Sequence, residues 1–315
     1  MAQDKNSAGI YIGPGKHAFI HKQKYFETNR PMPVNVVLGG DPLDWFAASC
    51  PVPAGISEFD FAGGLRGAPT QVILSDITGL PYPADAEIVL EGEIKPGELR
   101  EEGPFGEWPG YYASDTRPEP VVRIKALYHR NNPILCGEPP LRPSANQGFH
   151  RSIQRSALIW NALEDAGVPD VRGVWLNPAA YRFFSIVKIK QRYPGHAKQA
   201  ALVASQCRPG AYLGRYVVVV DDDIDIYNPD DVIWAISTRS EPENIDILRR
   251  CWSGPLDPAI PTERKGFNSR AIIDATRPYE WRDKFPAVNA VSDELKATLE
   301  RKYAGLLKEI SGGVR

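Results

Sequence analysis

Alternation between apolar and polar positions marks several strands in the first half of the chain. Val34 to Leu38 reads as a strand ending in Gly39-Gly40-Asp41-Pro42. Ala86 to Ile94 and Val121 to Tyr128 alternate more clearly. Gln71 to Ser75 and Ile134 to Cys136 are shorter, and Ile10 to Ile12 suggests a strand almost at the start, before a Gly13-Pro14-Gly15 turn. Helical spacing of Phe19, Lys22 and Phe26 predicts a short helix over 17–26. Pro42 to Ala48 predicts a second, with Pro in its first turn. Ser57 reads as the cap of a third, Glu58 to Ala62, stopped by the glycines that follow.

The pattern changes after Pro139-Pro140-Leu141-Arg142-Pro143, a linker signature that places a boundary near residue 145. A helix over 146–166 carries Phe149, Ile153, Trp160 and Leu163 on one face. Val171 to Leu176 and Phe183 to Lys188 read as strands, and His196 to Gln206 as a helix. Tyr216 to Val220 is an unbroken β-branched run without a polar face, which predicts a strand buried on both sides. Asn228 leads into another helix. The last one, capped by Ser292, aligns Leu295, Leu299, Tyr303, Leu306 and Ile310, a stripe suited to packing or oligomer contact. The expected organisation is a strand-rich barrel or sandwich over 1–145, a connecting helix over 146–170, and an α/β region over 171–315.

Composition narrows the class. The chain has 315 residues, 43% hydrophobic and 24% charged, with a formal net charge of −2. This argues against nucleic-acid binding or a polybasic membrane surface. No apolar run is long enough to span a membrane, and the polar N-terminus does not resemble a signal peptide. Cys50, Cys136, Cys207 and Cys251 lie far apart and read as free thiols of a reducing cytoplasm.

Candidate chemistry gathers in Glu102-Gly103-Pro104-Phe105-Gly106-Glu107-Trp108-Pro109-Gly110-Tyr111-Tyr112. Gly and Pro at this density predict a tight loop leaving a strand. Two carboxylates around one partly apolar space can hold separated pKa values, one acid and one charged. The same loop also reads as a surface turn with two solvated glutamates. His17 reads as a structural histidine or as a side chain aimed at a site. Glu58 reads as a first-turn carboxylate. Asp221, Asp222, Asp223 and Asp225 suit either a metal or the capping of a turn.

The Glu-Gly-Pro-Phe-Gly-Glu run, followed by Gly110-Tyr111-Tyr112, resembles the signature of the UbiD-type decarboxylases. Gly15-Lys16-His17, Gly39 to Pro42, Ser57-Glu58, Ala62 to Gly67, Ala86 to Gly92, Val217 to Asp225 and Ile273 to Thr276 resemble family blocks in the same order. The resemblance implies a split β-barrel flavin domain, a connecting helix and a C-terminal α/β domain used in assembly. It implies prenylated FMN, Mn2+ or Mg2+, and K+ as a further candidate ion. His17 and Glu58 match metal ligands. Lys16, His17, Ser49, Cys50, Pro51 and Glu58 match cofactor-lining positions, and Arg215 is the candidate for the cofactor phosphate. Glu107 matches the residue that delivers the proton replacing CO2. Glu102 matches the first member of a Glu-Arg-Glu network beside the reacting carboxylate.

The implied reaction is non-oxidative, reversible decarboxylation of an aromatic, heteroaromatic or α,β-unsaturated acid, with a flavin prenyltransferase supplying the cofactor. Family members are usually longer at the N-terminal end, where the network's Arg and an Asn metal ligand lie. Three explanations compete: a fragment, a translation start placed too late, or a short subunit completed by a partner that donates this segment; the apolar C-terminal stripe adds the expectation of a homo-oligomer. The rival reading is a non-catalytic, shortened homologue that binds flavin or supports assembly.

Overall fold

The computed structural model describes residues 2–13, 16–52, 55–142 and 146–307. The centre of the expected Gly13-Pro14-Gly15 turn, the boundary position 145 and Ile310 of the last stripe lie outside them. Residues through Thr276 form one compact unit, and those from Arg277 a second.

The N-terminal part of the first unit is built on an antiparallel sheet. Its strands are β1 (Ala2–Asp4), β2 (Ser7–Gly9), β3 (Met32–Leu38), β6 (Ile88–Glu102) and β9 (Arg117–His129), in the order β1-β2-β9-β6-β3. Two small hairpins flank it: β4 (Val72–Leu74) with β5 (Pro81–Pro83), and β7 (Phe105–Gly106) with β8 (Tyr112–Ser114). Ile12, Met32, Ile94 and Val122 form its buried core, with Phe19 and Phe26 of α1 (His17–Phe26) packed against it. The β6–β9 ladder shifts register at Glu91/Gly92. A Cβ at Gly92 would lie 2.2 Å from the Arg123 carbonyl oxygen, so the close strand approach there requires glycine.

Helix α2 (Pro42–Ser49) starts with Pro42 behind Asp41, whose carboxylate accepts from the Leu43 N–H. Ser57 caps α3 (Glu58–Arg66) by accepting from Phe59 N–H at 3.2 Å. The expected stop at Gly63-Gly64 does not occur. Helix α3 runs on to Arg66 and ends at Gly67, whose φ of +73° is the left-handed cap. Arg66 then pairs with Asp41 at 2.7 Å and Asp44 at 2.9 Å, fastening the last turn of α3 to the start of α2.

Two expected strands are absent. Ile10 to Ile12 leaves the sheet after Gly9, although Ile10 N–H still reaches the Pro120 carbonyl at 3.0 Å. Pro120, with no N–H, cannot return the bond that would extend the ladder. Ile134 to Cys136 is irregular and exposed, with the Ile134 N–H held by the Glu87 carboxylate at 3.1 Å.

The rest of the first unit is a sheet covered on both faces. Strands β10 (Val171–Leu176), β11 (Phe184–Ile189), β12 (Tyr216–Asp221), β13 (Asp246–Trp252) and β14 (Phe267–Ala275) lie in the order β10-β11-β12-β14-β13. The three central strands are mutually parallel, and the two edges are antiparallel. Val217 and Val219 of β12 join one core, with α4 (Asn146–Asp165) and α5 (His196–Gln206). Val218 and Val220 join the other, with Val232 and Ala235 of α7 (Pro229–Arg239). Burial on both faces is why the run has no polar positions. The short α6 (Arg208–Ala211) follows α5.

Helix α4 uses only the second half of the predicted stripe: Leu163 is buried and Trp160 packs against the same core. Phe149 and Ile153 are exposed, whereas Ser152, Arg155, Ser156, Ile159 and Leu163 are buried. Ile159 and Leu163 enter the core, and the polar buried positions precede them on the same face. The acidic run after β12 is absorbed locally. Asp221 and Asp223 pair with Arg239, and Asp225 accepts from the Tyr227 N–H at 3.0 Å. In the second unit, Ser292 caps α8 (Asp293–Lys302), and Leu295, Leu299, Tyr303 and Leu306 are exposed. Among the described residues no helix is long and apolar enough to cross a membrane.

Candidate active site

The loop after β6 takes its shape from two glycines. Gly103 has φ +99° and Gly110 φ +85°, conformations that side chains disfavour. The turn closes with Glu107 N–H donating to the Tyr111 carbonyl at 2.9 Å, and Gly110 N–H to the Glu107 carbonyl at 2.8 Å. Glu102, at the end of β6, is buried. A Cβ on Gly9 would sit 2.5 Å from its Oε1, so a larger residue in β2 would push this carboxylate aside. Arg117 faces Glu102 across the β6–β9 ladder.

Glu107 is half-buried, and burial pushes its pKa above the usual carboxylate range. The Trp108 N–H and the charges of Arg151 and Arg117 oppose that shift without cancelling it. Trp108 packs on Tyr181 and Phe183, with ring centroids 4.8 and 5.3 Å away.

Most of the cofactor-lining positions expected from sequence meet at one cavity of about 450 Å³. Its wall includes Lys16, His17, Ser49, Cys50, Pro51 and Glu58. His17 Nδ1 lies 3.8 Å from Glu58 Oε1, so α1 and α3 bring the two expected metal ligands together. No group of three or more His, Cys, Asp or Glu side chains suited to a metal gathers among the described residues. Ser49 and Cys50 are held by Gln154 of α4, whose Nε2 lies 3.1 Å from Ser49 Oγ and 2.6 Å from Cys50 Sγ. Glu102, Glu107 and Arg215 are not part of the cavity wall. Glu107 nevertheless acts electrostatically on Tyr212, which is part of it. Arg215 is paired with Asp257, and its guanidinium lies 5.3 Å from the Phe183 ring centre.

The cavity also holds residues the sequence did not reveal: Arg151, Arg155, Arg182, Arg208, Tyr212 and Trp252. The Nε atoms of Arg151, Arg155 and Arg182 are buried without a hydrogen-bond partner. Burial, followed by the neighbouring Arg182, pushes the Arg155 pKa down to about 10. Lys16, exposed at the mouth, is also lowered, first by desolvation and then by Arg182, Arg155, Arg151 and Arg208. Five cations, Lys16, Arg151, Arg155, Arg182 and Arg208, line the cavity against a single lining carboxylate, Glu58, an excess of positive charge that suits an anion such as a phosphate. The one local signal was the four-residue spacing of Arg151 and Arg155, which puts both on one side of a helix.

Comparisons with known proteins agree with this architecture. The UbiD family model described as 3-octaprenyl-4-hydroxybenzoate carboxy-lyase Rift-related domain matches residues 1–143. The family's C-terminal domain matches residues 149–275. The chain belongs to the UbiD family. A phenolic acid decarboxylase of Bacillus subtilis (strain 168) is 35% identical over 281 residues, covering 88% of this chain and 58% of the relative. The phenolic acid decarboxylase of Sedimentibacter hydroxybenzoicus is 34% identical with the same coverage. The chain thus spans 58% of the length of these curated relatives.

Among solved structures, the UbiD-class enzyme HmfF from Pelotomaculum thermopropionicum in complex with FMN superposes with a TM-score of 0.83 at 30% identity. It covers 93% of this chain and 64% of that one. The open form of Sedimentibacter hydroxybenzoicus vanillic acid decarboxylase, with truncated ShVdcD, gives 0.83 at 31%, covering 98% and 66%.

Proposed function

We propose that this chain forms the flavin-binding and catalytic body of a reversible carboxy-lyase. Its substrate is an aromatic, heteroaromatic or α,β-unsaturated carboxylic acid, and its cofactor is prenylated FMN. The observation that carries the reading is the joining of two features: a cation-lined cavity containing Lys16, His17, Ser49 to Pro51 and Glu58, and a half-buried Glu107 of raised pKa beside it. The two curated relatives are named phenolic acid decarboxylases, and HmfF was solved with FMN and, in an evolved dimeric form, with prFMN. In the proposed division of labour, residues 1–145 form the flavin domain, Arg151, Arg155, Arg182 and Arg208 reach into its cavity from the later segments, and 171–315 also support assembly.

When bound, the modified flavin supplies an electron sink for the pair released as the carboxylate leaves as CO2. The chain's own residues do the rest. Lys16 and the cavity arginines hold the phosphate end. His17 and Glu58 would hold Mn2+ or Mg2+, which would supply positive charge at the cofactor end of the cavity. Ser49 to Pro51, fixed by Gln154, lie along the cofactor. Glu107, whose protonated form is favoured by burial, gives its proton to the carbon that loses CO2, and takes one back in the reverse direction. Glu102, buried against Gly9, lies beside the reacting group as the first member of the network. A partner subunit or a second copy completes the assembly. Vanillic acid decarboxylase, solved as ShVdcCD, shows that a structural relative carries more than one component.

The test is co-expression with a flavin prenyltransferase, followed by mass identification of the cofactor and CO2 release from a panel of hydroxybenzoic and cinnamic acids. Bound prenylated FMN and CO2 from at least one acid are expected. A chain that takes up no flavin under these conditions contradicts the proposal.

A further inference from the structure

We propose that strand β14 sets one wall of the cavity from behind: Arg270 and Asn268 lock residues 211–214 into a strained turn that fixes Tyr212 and Trp252 for the acid, which makes Arg270 a positioning residue. This rests on the proposed function and deepens it on the side of the cavity that Glu107 acts on. Arg270 is 1% exposed, in the middle of β14. Its guanidinium donates to three main-chain carbonyls: Ser205, Ala211 at 2.5 Å and Trp252 at 2.6 Å. The last turn of α5, the end of α6 and the end of β13 are thereby tied to one side chain. Desolvation pushes the Arg270 pKa down, so the tie is made with a cation that is costly to bury. Two residues earlier on β14, the buried Asn268 donates to the Gly214 carbonyl at 2.8 Å.

Between the anchored carbonyls of Ala211 and Gly214 lie Tyr212 and Leu213. Leu213 is fully buried and has φ +67°, a left-handed conformation that side chains of its bulk avoid. Such a conformation persists only where its surroundings over-determine it, and the two β14 side chains do so here. The turn fixes the Tyr212 ring 5.7 Å from that of Trp252 and 4.9 Å from the Arg182 guanidinium. All three residues line the cavity, whereas Arg270 and Asn268 do not, so the β14 pair acts through its neighbours. Gly254 leaves room for the ring, since a Cβ there would lie 2.4 Å from it.

The experiment places 3-fluorotyrosine at Tyr212 alone and records the 19F spectrum of the flavin-free full chain. Steady-state decarboxylation by the flavin-loaded chain is measured beside it, with the panel acid that releases most CO2. The wild type should give one narrow line. Arg270→Met should broaden or split that line, raise KM about tenfold and lower kcat by no more than about twofold, with flavin content unchanged. Arg270→Lys returns a cation with three donors and should restore the narrow line and most of the KM. Gly254→Ala displaces the ring but leaves the clamp whole, so KM should rise while the line shifts and stays narrow. If Arg270→Met does not fold, Asn268→Ala carries the same readouts, with KM raised about threefold.

An unchanged line and an unchanged KM in Arg270→Met, or in Asn268→Ala where it stands in, overturn the proposal even if stability falls, because β14 is then structural only. If the line responds to the β14 variants but the wild type decarboxylates no acid, the clamp stands and the proposed function fails. If the wild type decarboxylates an acid but the line ignores β14, the clamp fails and the proposed function stands.

Discussion

The carboxylate loop and the guanidinium wall, which the proposed function joins in one site, are built in opposite ways. The loop lies within residues 102–112 and is shaped by Gly103 and Gly110 at the end of a single strand. The wall draws on α4, the segment before β11 and the start of α6, with Lys16 just ahead of α1. Burial acts on both and gives different results. It raises the Glu107 pKa, which favours the neutral carboxylic acid. It lowers that of Arg155 only to about 10, so the guanidinium remains charged at neutral pH. The same desolvation thus makes one group switchable and leaves the other a permanent charge. Proton transfer needs the first property and phosphate anchoring the second.

The contrast breaks most visibly at Glu107. Glu107→Gln should reduce turnover by about a thousandfold, as expected for loss of a general acid, while flavin binding stays near wild type. Decarboxylation kinetics beside flavin stoichiometry measures both, and equal loss of the two would merge the roles that the geometry separates.

A second, smaller effect separates the wall from the core beneath it. Ile159 is fully buried one turn beyond Arg155 on α4, within the same core as Val217 and Val219. Ile159→Ala should cost about 2–4 kcal/mol in urea unfolding, with the preference for FMN over riboflavin retained. Loss of that preference at unchanged stability would show that the helix, and not its arginines, sets the anchoring.

The gentlest test is pH. Glu107 is raised in the folded chain, so between its ordinary value and its raised value the folded state binds more protons than the unfolded state. Its contribution to stability therefore falls as pH rises through that window, and the slope should flatten in Glu107→Gln. Turnover that uses the protonated acid should be full below the raised pKa and fade above it. FMN retention should not fall across the same rise in pH, because the arginines keep their charge while the phosphate gains its second negative charge at about pH 6. Retention that fades together with turnover would contradict the separation.

The uneven legibility of the sequence follows from the same physics. The loop could be read because its chemistry is contiguous: two glutamates, and glycines at the positive-φ positions. The Tyr216–Val220 run could be read because burial on both faces removes every polar position. Ile10 to Ile12 misled because its pairing depends on Pro120, more than a hundred residues away. Gly63 and Gly64 look like a helix stop, yet the left-handed cap is Gly67. The arginine wall was hidden because an arginine on an amphipathic helix ordinarily belongs to the solvent face. On α4 the polar buried positions Ser152, Arg155 and Ser156 precede the apolar Ile159 and Leu163. Only the folded arrangement shows that Lys16, Arg151, Arg155, Arg182 and Arg208 share one cavity, and that Asp257 occupies Arg215.

The most direct test is the flavin content per chain of wild type, Glu107→Gln and Arg155→Met, each co-expressed with a flavin prenyltransferase and measured by absorbance and mass spectrometry. Full occupancy in the wild type and in Glu107→Gln, with depletion in Arg155→Met, is the predicted result. Depletion of Glu107→Gln to the level of Arg155→Met, or full occupancy in Arg155→Met, would contradict the division between a proton-carrying loop and an anchoring wall.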